Sequence, residues 1–318
     1  MRTPAVTVVI PCFNAAEFIA ATLASVRAQT LTRWQVVVVD DGSTDGSAEI
    51  VEAIARRDPR ITLIRQSRAG VSVARNLGAS LAEAGLIAFL DADDLWDAAY
   101  LSEMLDFMSG PGAPNLGYAR VRFVDRSGRR TGQRSRAKLA GLTIEDMLAG
   151  NPTMTTSNLV IRRSLLDRLG GFEPGLDFAE DQLLLVRAFL SGARISGLDR
   201  ELVSYRTVGG GLSSKLEAMR LGWERLVERI QTEFPGRIPK DVEEAARARN
   251  RIYLARRALR LADSNGTAWQ LLAPALAAYP AALHRWPWPV LPITALALLD
   301  RLPQLSWPRL STRTSLAR

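Results

Sequence analysis

The chain has 318 residues, a formal net charge of +8 and a single cysteine. Hydrophobic residues make up 47% and charged residues 23%, the balance of a globular protein and not of a disordered one. One cysteine excludes a disulfide framework and a cysteine-rich metal site, and suits a reducing compartment.

No basic and then apolar leader opens the chain, so a cytoplasmic protein is expected, with the cytoplasmic face of the inner membrane as a second location. Nucleic-acid binding would gather the basic residues on one element with aromatics between them. Here the arginines scatter over predicted helices, and no nucleic-acid partner is expected. An anionic membrane face or a phosphorylated substrate accounts for the charge as well.

In chain order, short β-rich runs alternate with helical periods over the first 110 residues. VTVVI (6–10) precedes a helix over 15–29, WQVVVV (34–39) one over 43–57, ITLI (61–64) one over 71–84, and LIAFL (86–90) one over 98–108. Continuous apolar strands separated by helices predict an α/β fold: a mostly parallel sheet covered on both faces. Ligands of such sheets sit outside the carboxyl ends of the strands. The loops PCFN (11–14), DDGSTD (40–45), SRAGVSVARN (67–76) and DADD (91–94) are therefore expected along one rim.

Beyond residue 110 the pattern changes. GYARVRFVD (117–125) reads as a strand, and 126–138, with six basic residues, as an exposed hairpin or mobile loop. TSNLVIRR (156–163) reads as another strand and RSLLDRLGGF (163–172) as a short helix closed by two glycines. EDQLLLVRAFLSG (180–192) is a helix with acids in its first turn, where they suit the dipole. Helical periods follow over 215–234, 241–263 and 267–279, and then a tail rich in Trp, Pro and Leu. Its charge-free piece, Trp286 to Leu299, has fourteen residues and three prolines, too short for a membrane span of about 20.

VTVVIPCFN, VVVVDDGSTDGS, GVSVARN, FLDADDLW, LGGF and AEDQLLLVRA together resemble the inverting glycosyltransferases of family 2, over roughly residues 5–206 in consistent order. The resemblance implies a GT-A fold, Rossmann-like, in a catalytic domain at 1–214. Within it, 1–110 is the nucleotide-sugar half and 111–214 the acceptor half, and a helical region follows at 215–318. It also implies a nucleotide-sugar donor, expected to be UDP-linked, a glycan or lipid-linked acceptor, and a role in bacterial cell-surface polysaccharide synthesis.

Each motif has a physical reading beside that resemblance. Three clustered carboxylates repel unless a divalent cation, Mn²⁺ or Mg²⁺, turns the repulsion into coordination. By resemblance Asp93 is the principal metal ligand, Asp91 contacts the ribose or metal region and Asp94 supports either. The bland alternative is a helix cap by Asp93 or Asp94 and an Asx-turn at Asp91. In the second loop a strand-end carboxylate can accept the imide N–H of uracil, by resemblance Asp41 with Asp40 beside it, and Asp45 suits the helix N-cap. Pro11, Phe13 and Asn14 form the first loop; Phe13 stands where the family commonly has a base-packing Tyr. Cys12 reads as a small buried residue.

Gly70 permits close backbone approach, and Arg75 offers a fork for phosphate or base oxygens; the resemblance favours Arg75 as a donor ligand. Inversion needs a base opposite the leaving group. By resemblance it is Asp181, with Glu180 orienting or binding the acceptor; a dipole partner in the first helical turn is the alternative.

One departure stands out. Relatives often carry a metal- or phosphate-binding His after the Tyr-Arg pair, whereas here Tyr205-Arg206 leads into TVGGGLSS (207–214). Ser213 and Ser214 are candidates to reach phosphate, and Gly209–Gly211 reads as a closing loop or a linker. The only histidine, His284, lies far off in the tail.

Competing readings are a non-catalytic nucleotide-sugar-binding scaffold, favoured by the missing His, and a sugar-phosphate nucleotidyltransferase. The latter needs a glycine-rich basic loop after the first strand, which PCFN is not. An NAD-dependent oxidoreductase lacks its GxGxxG. In the tail, Trp286, Trp288 and Trp307 with Arg285, Arg301 and Arg309 suit peripheral membrane contact or packing on the protein.

Overall fold

The computed structural model describes residues 3–176, 178–207, 215–261 and 267–299, the last stretch without the side chains at 287–289 and 299. Gly209–Gly211, Ser213, Ser214, Arg301, Trp307, Arg309 and the side chain of Trp288 lie outside the described residues.

Strands β1 (Val6–Cys12), β2 (Trp34–Asp40), β3 (Ile61–Arg65) and β4 (Leu86–Phe89) lie parallel in the order β3-β2-β1-β4. Their crossovers carry α1 (Ile19–Arg27), α2 (Ser47–Ala55) and α3 (Val71–Ser80). Residues 91–94 lead into a two-residue strand, β5 (Leu95–Trp96), and then α4 (Tyr100–Phe107). The second half supplies β6 (Leu116–Val124), β7 (Arg130–Arg134), α5 (Ile144–Ala149), a 3-10 turn at Thr156–Asn158, β8 (Val160–Arg162), α6 (Arg163–Leu169), α7 (Glu180–Leu190) and β9 (Ile195–Arg206). These strands extend the sheet beyond β4 as β8-β6-β9-β5, with β7 hydrogen-bonded to β6 as an exposed hairpin. The added half is mixed: β6 and β9 are parallel to each other, while β8 runs antiparallel to both β4 and β6.

Side-chain alternation divides the core. Val8, Ile10, Val36 and Val38 face one way, with Ile19, Leu23, Val26, Val51 and Leu101 from helices. Val9, Ile87 and Phe89 face the other, with Leu165, Phe172, Leu183 and Leu184, and Val37 and Val39 meet Ala74 of α3. Burying both faces is what makes these strands continuously apolar. Helix α3 approaches β1 so closely that a Cβ on Gly78 would lie 2.4 Å from a Val9 methyl, which only glycine permits.

Two helices start later than their apolar periods suggest. The backbone N–H groups of Ala15 and Ala16 are taken by Ser47 Oγ at 2.8 Å and Asp45 Oδ2 at 2.9 Å, so α1 begins at Ile19. Asp45 also accepts from Ser47 N–H at 3.0 Å, one position ahead of the N-cap, Gly46. The segment thus ties the first two loops together before α2 begins.

The chain divides into two compact units, Met1–Ala246 and Arg247–Arg318. In the first, α8 (Leu216–Glu233) sets Trp223, Leu226, Val227 and Ile230 into the same cluster as Phe172 and Leu183, and α9 (Lys240–Arg260) spans the division. The second contains α10 (Thr267–Ala278), α11 (Ala282–Arg285) and α12 (Pro287–Leu299). There Trp286 stacks on Tyr279 with ring centroids 5.8 Å apart, and Arg285 lies over its ring. Among the described residues no helix is long and apolar enough to cross a membrane.

Candidate active site

The loops after β1, β2 and β3 form the first side of the rim. Asn14 sits at φ 47; its N–H donates to Ser43 Oγ at 3.0 Å and its Oδ1 accepts from Thr44 N–H at 2.9 Å. Asp41 is buried and accepts three bonds: from Gln66 Nε2 and Ala69 N–H, both at 2.7 Å, and from Gly70 N–H at 2.9 Å. Its carboxylate therefore fastens the loop after β3. Asp40, also buried, accepts only a long 3.3 Å bond from Ser43 N–H, on Oδ2; its buried Oδ1 has no hydrogen-bond partner. Beneath them, burial and the nearby Asp40 charge push the Cys12 thiol up to about 12, so Cys12 is an inert packing residue. Pro11 lies within β1. Phe13 is 37% exposed, and the Arg68 guanidinium lies over its ring, 3.6 Å from the centroid.

The second side is crowded with charge. Arg75 is 4% exposed. Its Nη2 donates to Asp91 Oδ1 at 2.7 Å and its Nη1 to Glu180 Oε1 at 2.8 Å, while Nε is buried without a partner. Burial alone would lower the Arg75 pKa, but the two carboxylates outweigh it and hold the guanidinium charged. The fork expected to face the donor instead joins the DADD loop to the start of α7.

Asp94 is buried to 1%. Its oxygens accept from Arg206 N–H at 2.8 Å and Ser157 Oγ at 2.6 Å, and burial, reinforced by Asp93 and Asp91, pushes its pKa well up. Arg206 also donates from Nε to the Asp93 carbonyl at 2.7 Å, so the Tyr205-Arg206 end of β9 clamps the acidic loop from behind. Asp93 keeps its carboxylate at the rim; burial first, and then the Asp91 charge, raise it to about 6.

The three expected metal ligands are thus not one donor set. Among the described residues no group of three or more His, Cys, Asp or Glu could hold a metal ion, and His284 is exposed in the tail. What the residues fit is a hard divalent cation that shares its ligands with a diphosphate, since such ions are commonly held by one or two carboxylates plus phosphate oxygens. Asp93, raised by burial and the Asp91 charge, and Asp91, one oxygen of which is on Arg75, are the carboxylates that would share it.

Asp181, half-buried at the start of α7, accepts from Gln182 N–H and from Asn151 Nδ2, both at 2.6 Å. Burial, then the neighbouring Glu180 charge, raise it to about 7 against the pull of Arg75. Glu180 and Asp181 diverge: one carboxylate is committed to Arg75, the other sits in a titrating environment.

Several site residues escaped the sequence reading. Ser157 holds Asp94 and also accepts from Asp91 N–H at 2.9 Å, Arg206 clamps the loop, and Asn151 meets Asp181. Asn76, the last residue of GVSVARN, bonds both backbone groups of Phe172. Gly171 has φ 77, and a Cβ there would lie 2.5 Å from Asn76 Oδ1. The glycine of LGGF therefore exists to admit Asn76, and two of the motifs are one joint.

A family model described as "Glycosyl transferase family 2" matches residues 7–170. The chain belongs to that family. Over 232 residues it is 28% identical to the putative teichuronic acid biosynthesis glycosyltransferase TuaG of Bacillus subtilis, covering 71% of this chain and 90% of that one. Over 204 residues it is 32% identical to the succinoglycan biosynthesis protein ExoO of Rhizobium meliloti, covering 61% and 58%. It shares its fold with TarS 1–349 of S. aureus in complex with UDP-GlcNAc, at TM-score 0.61 and 21% identity over 93% of this chain and 88% of that one. It does so equally with the mannosyltransferase PcManGT of Pyrobaculum calidifontis in complex with GDP-Man and Mn²⁺, at TM-score 0.61 and 22% identity over 94% and 85%. The fold is the GT-A fold of these transferases, as the motifs imply.

Proposed function

We propose that this family 2 glycosyltransferase moves a sugar, with inversion, from a nucleoside diphosphate sugar, UDP-linked by preference, to a hydroxyl of a bacterial cell-surface polysaccharide or its lipid-linked precursor. The observation that carries the reading is Asp181: a half-buried carboxylate pushed up to about 7 by burial and the Glu180 charge, and bonded to Asn151 on the segment whose Ser157 holds the acidic loop. A base poised near the working pH combines a sizeable ionised fraction with a strong pull on the proton. Asp181 takes the acceptor hydroxyl proton as the oxygen attacks the anomeric carbon, while Glu180, held by Arg75, fixes the start of α7.

A divalent cation, held by Asp93 and Asp91, would supply positive charge for the departing diphosphate. On the opposite side Asp41, with Asp40 beside it, is the carboxylate proposed to accept a base N–H, on Oδ2, which carries only the Gly70 bond. Phe13 offers its ring to the base once Arg68 yields. The teichuronic acid and succinoglycan biosynthesis named for TuaG and ExoO support the acceptor class. Leu291, Leu296 and Leu298, exposed on α12, support peripheral membrane contact through the tail, which co-sedimentation with anionic liposomes would measure.

The deciding experiment is transfer from UDP-sugars in Mn²⁺ by wild type and Asp181→Asn. The variant is expected to bind UDP as wild type does and to lose transfer by roughly 10²–10⁴; transfer at the wild-type rate removes Asp181 as base. Binding of UDP without any transfer or donor hydrolysis by wild type would favour the scaffold reading.

A further inference from the structure

The reading of Asp181 as base leaves open what aims it. Asn151 lies 30 residues away in sequence, and its Nδ2 donates to Asp181 Oδ2 at 2.6 Å. Its amide cannot turn over. Thr153 N–H, which can only donate, meets the other amide atom at 2.8 Å, and Thr153 Oγ1 meets it at 2.7 Å. That atom is therefore the carbonyl oxygen, and the NH₂ group is directed at Asp181.

The segment bearing Asn151 is rigid for stated reasons. Thr153, Thr155, Ser157 and Asn158 are all buried, and the Asn158 amide bonds both the N–H and the carbonyl of Ala119 in β6. Met154 is held at φ 69 with its N–H on the Asn151 carbonyl at 3.1 Å; such a conformation in a non-glycine residue persists only where its surroundings over-determine it. A few residues on, Ser157 Oγ touches Asp91 N–H and Asp94 Oδ2. One stretch, 151–158, thus grips Asp181 at one end and the acidic loop at the other.

We propose that Asn151 is the positioning residue of the base. Its NH₂ fixes the Asp181 carboxylate in one orientation, stabilises its ionised form, and sets its distance from the metal and diphosphate side through the 151–158 segment. The inference rests on the Asp181 reading. A hydrogen bond to the charged form lowers a carboxyl pKa, so without Asn151 the acid limb of the rate profile moves to higher pH.

The test compares wild type, Asn151→Ala, Asn151→Asp and Asp181→Asn in steady-state transfer across pH 5–9. The expected result for Asn151→Ala is a fall in kcat of about tenfold, the scale of one charge-assisted bond, with the donor KM and Mn²⁺ dependence unchanged and the acid limb moved up. Asn151→Asp preserves the shape but sets a second carboxyl against Asp181, and the limb moves further still. An unmoved acid limb in both variants, or a loss in Asn151→Ala confined to donor or Mn²⁺ affinity, overturns the proposal. If Asp181→Asn transfers normally, the base assignment itself fails, whatever the Asn151 variants do.

Discussion

The two sides of the rim handle their carboxylates differently. On the side built from the loops after β1, β2 and β3, Asp41 and Asp45 accept bonds from backbone N–H groups and neutral side chains, and the Asp45 pKa is lowered despite a burial penalty, through its bonds to Ser47 and Ala16. On the side built from the DADD loop and α7, five carboxylates have two buried cations among them, Arg75 on Asp91 and Glu180 and Arg206 at the acidic loop, and Asp93, Asp94 and Asp181 are all pushed up. The first side is tied together by its own hydrogen bonds, with the Asp40 Oδ1 the one buried side-chain oxygen there left without a partner among the described residues. The second has more carboxylates than cations, and that excess raises Asp93 at one end and Asp181 at the other.

The comparison breaks most visibly at Asp181. Besides the loss in Asp181→Asn, the wild-type kcat should drop about tenfold per pH unit below about 7, because only the ionised carboxylate can accept a proton; a rate flat down to pH 5 would contradict it. Arg75→Ala comes next. Removing the shared cation leaves Asp91 and Glu180 facing each other unpaired, a loss of about 3–5 kcal/mol readable in urea denaturation; an undiminished midpoint would mean the two carboxylates stay protonated or hydrated in the fold. Asp41→Ala, on the quiet side, frees three donors and should cost about 1–3 kcal/mol while leaving the pH profile where it was. Asp93→Ala should weaken Mn²⁺-dependent UDP binding without lowering the melting temperature, since it removes a carboxylate that the fold itself holds unfavourably. Smallest is Arg68→Ala: an exposed cation on a ring is worth about 0.5–1 kcal/mol, and UDP titration would show whether the arginine covers Phe13 or grips the base.

Much of the quiet side was legible beforehand. Unbroken apolar runs such as Val36 to Val39 can only be strands buried on both faces, and the loops that follow them must share a rim. The crowding of the acidic loop and of the Glu180-Asp181 pair was legible too, but not that Asp91 and Glu180 would meet on one arginine. What stayed hidden are polar residues whose partner lies far along the chain. Asn76 and Phe172 are 96 residues apart, Arg206 and Asp94 112, and nothing local in an Asn or Arg names its partner. The mixed strand order had the same cause: β5 is two residues long and exists only because β9 pairs with it. One local signal was available and unread, the T-x-x-D of Thr143 and Asp146 that forms a capping box at α5.

Trp96 gives this active site a built-in optical probe. Its indole N–H donates to the Ser157 carbonyl at 2.7 Å, its ring stacks on Tyr100 at 4.3 Å, and it follows the acidic loop by two residues. A cation or diphosphate seated on Asp93 would draw on the loop that Ser157 braces and alter the field at the indole. Emission intensity should then follow Mn²⁺ and UDP occupancy in real time, and Trp96→Phe should extinguish that response while the other six tryptophans of the seven remain.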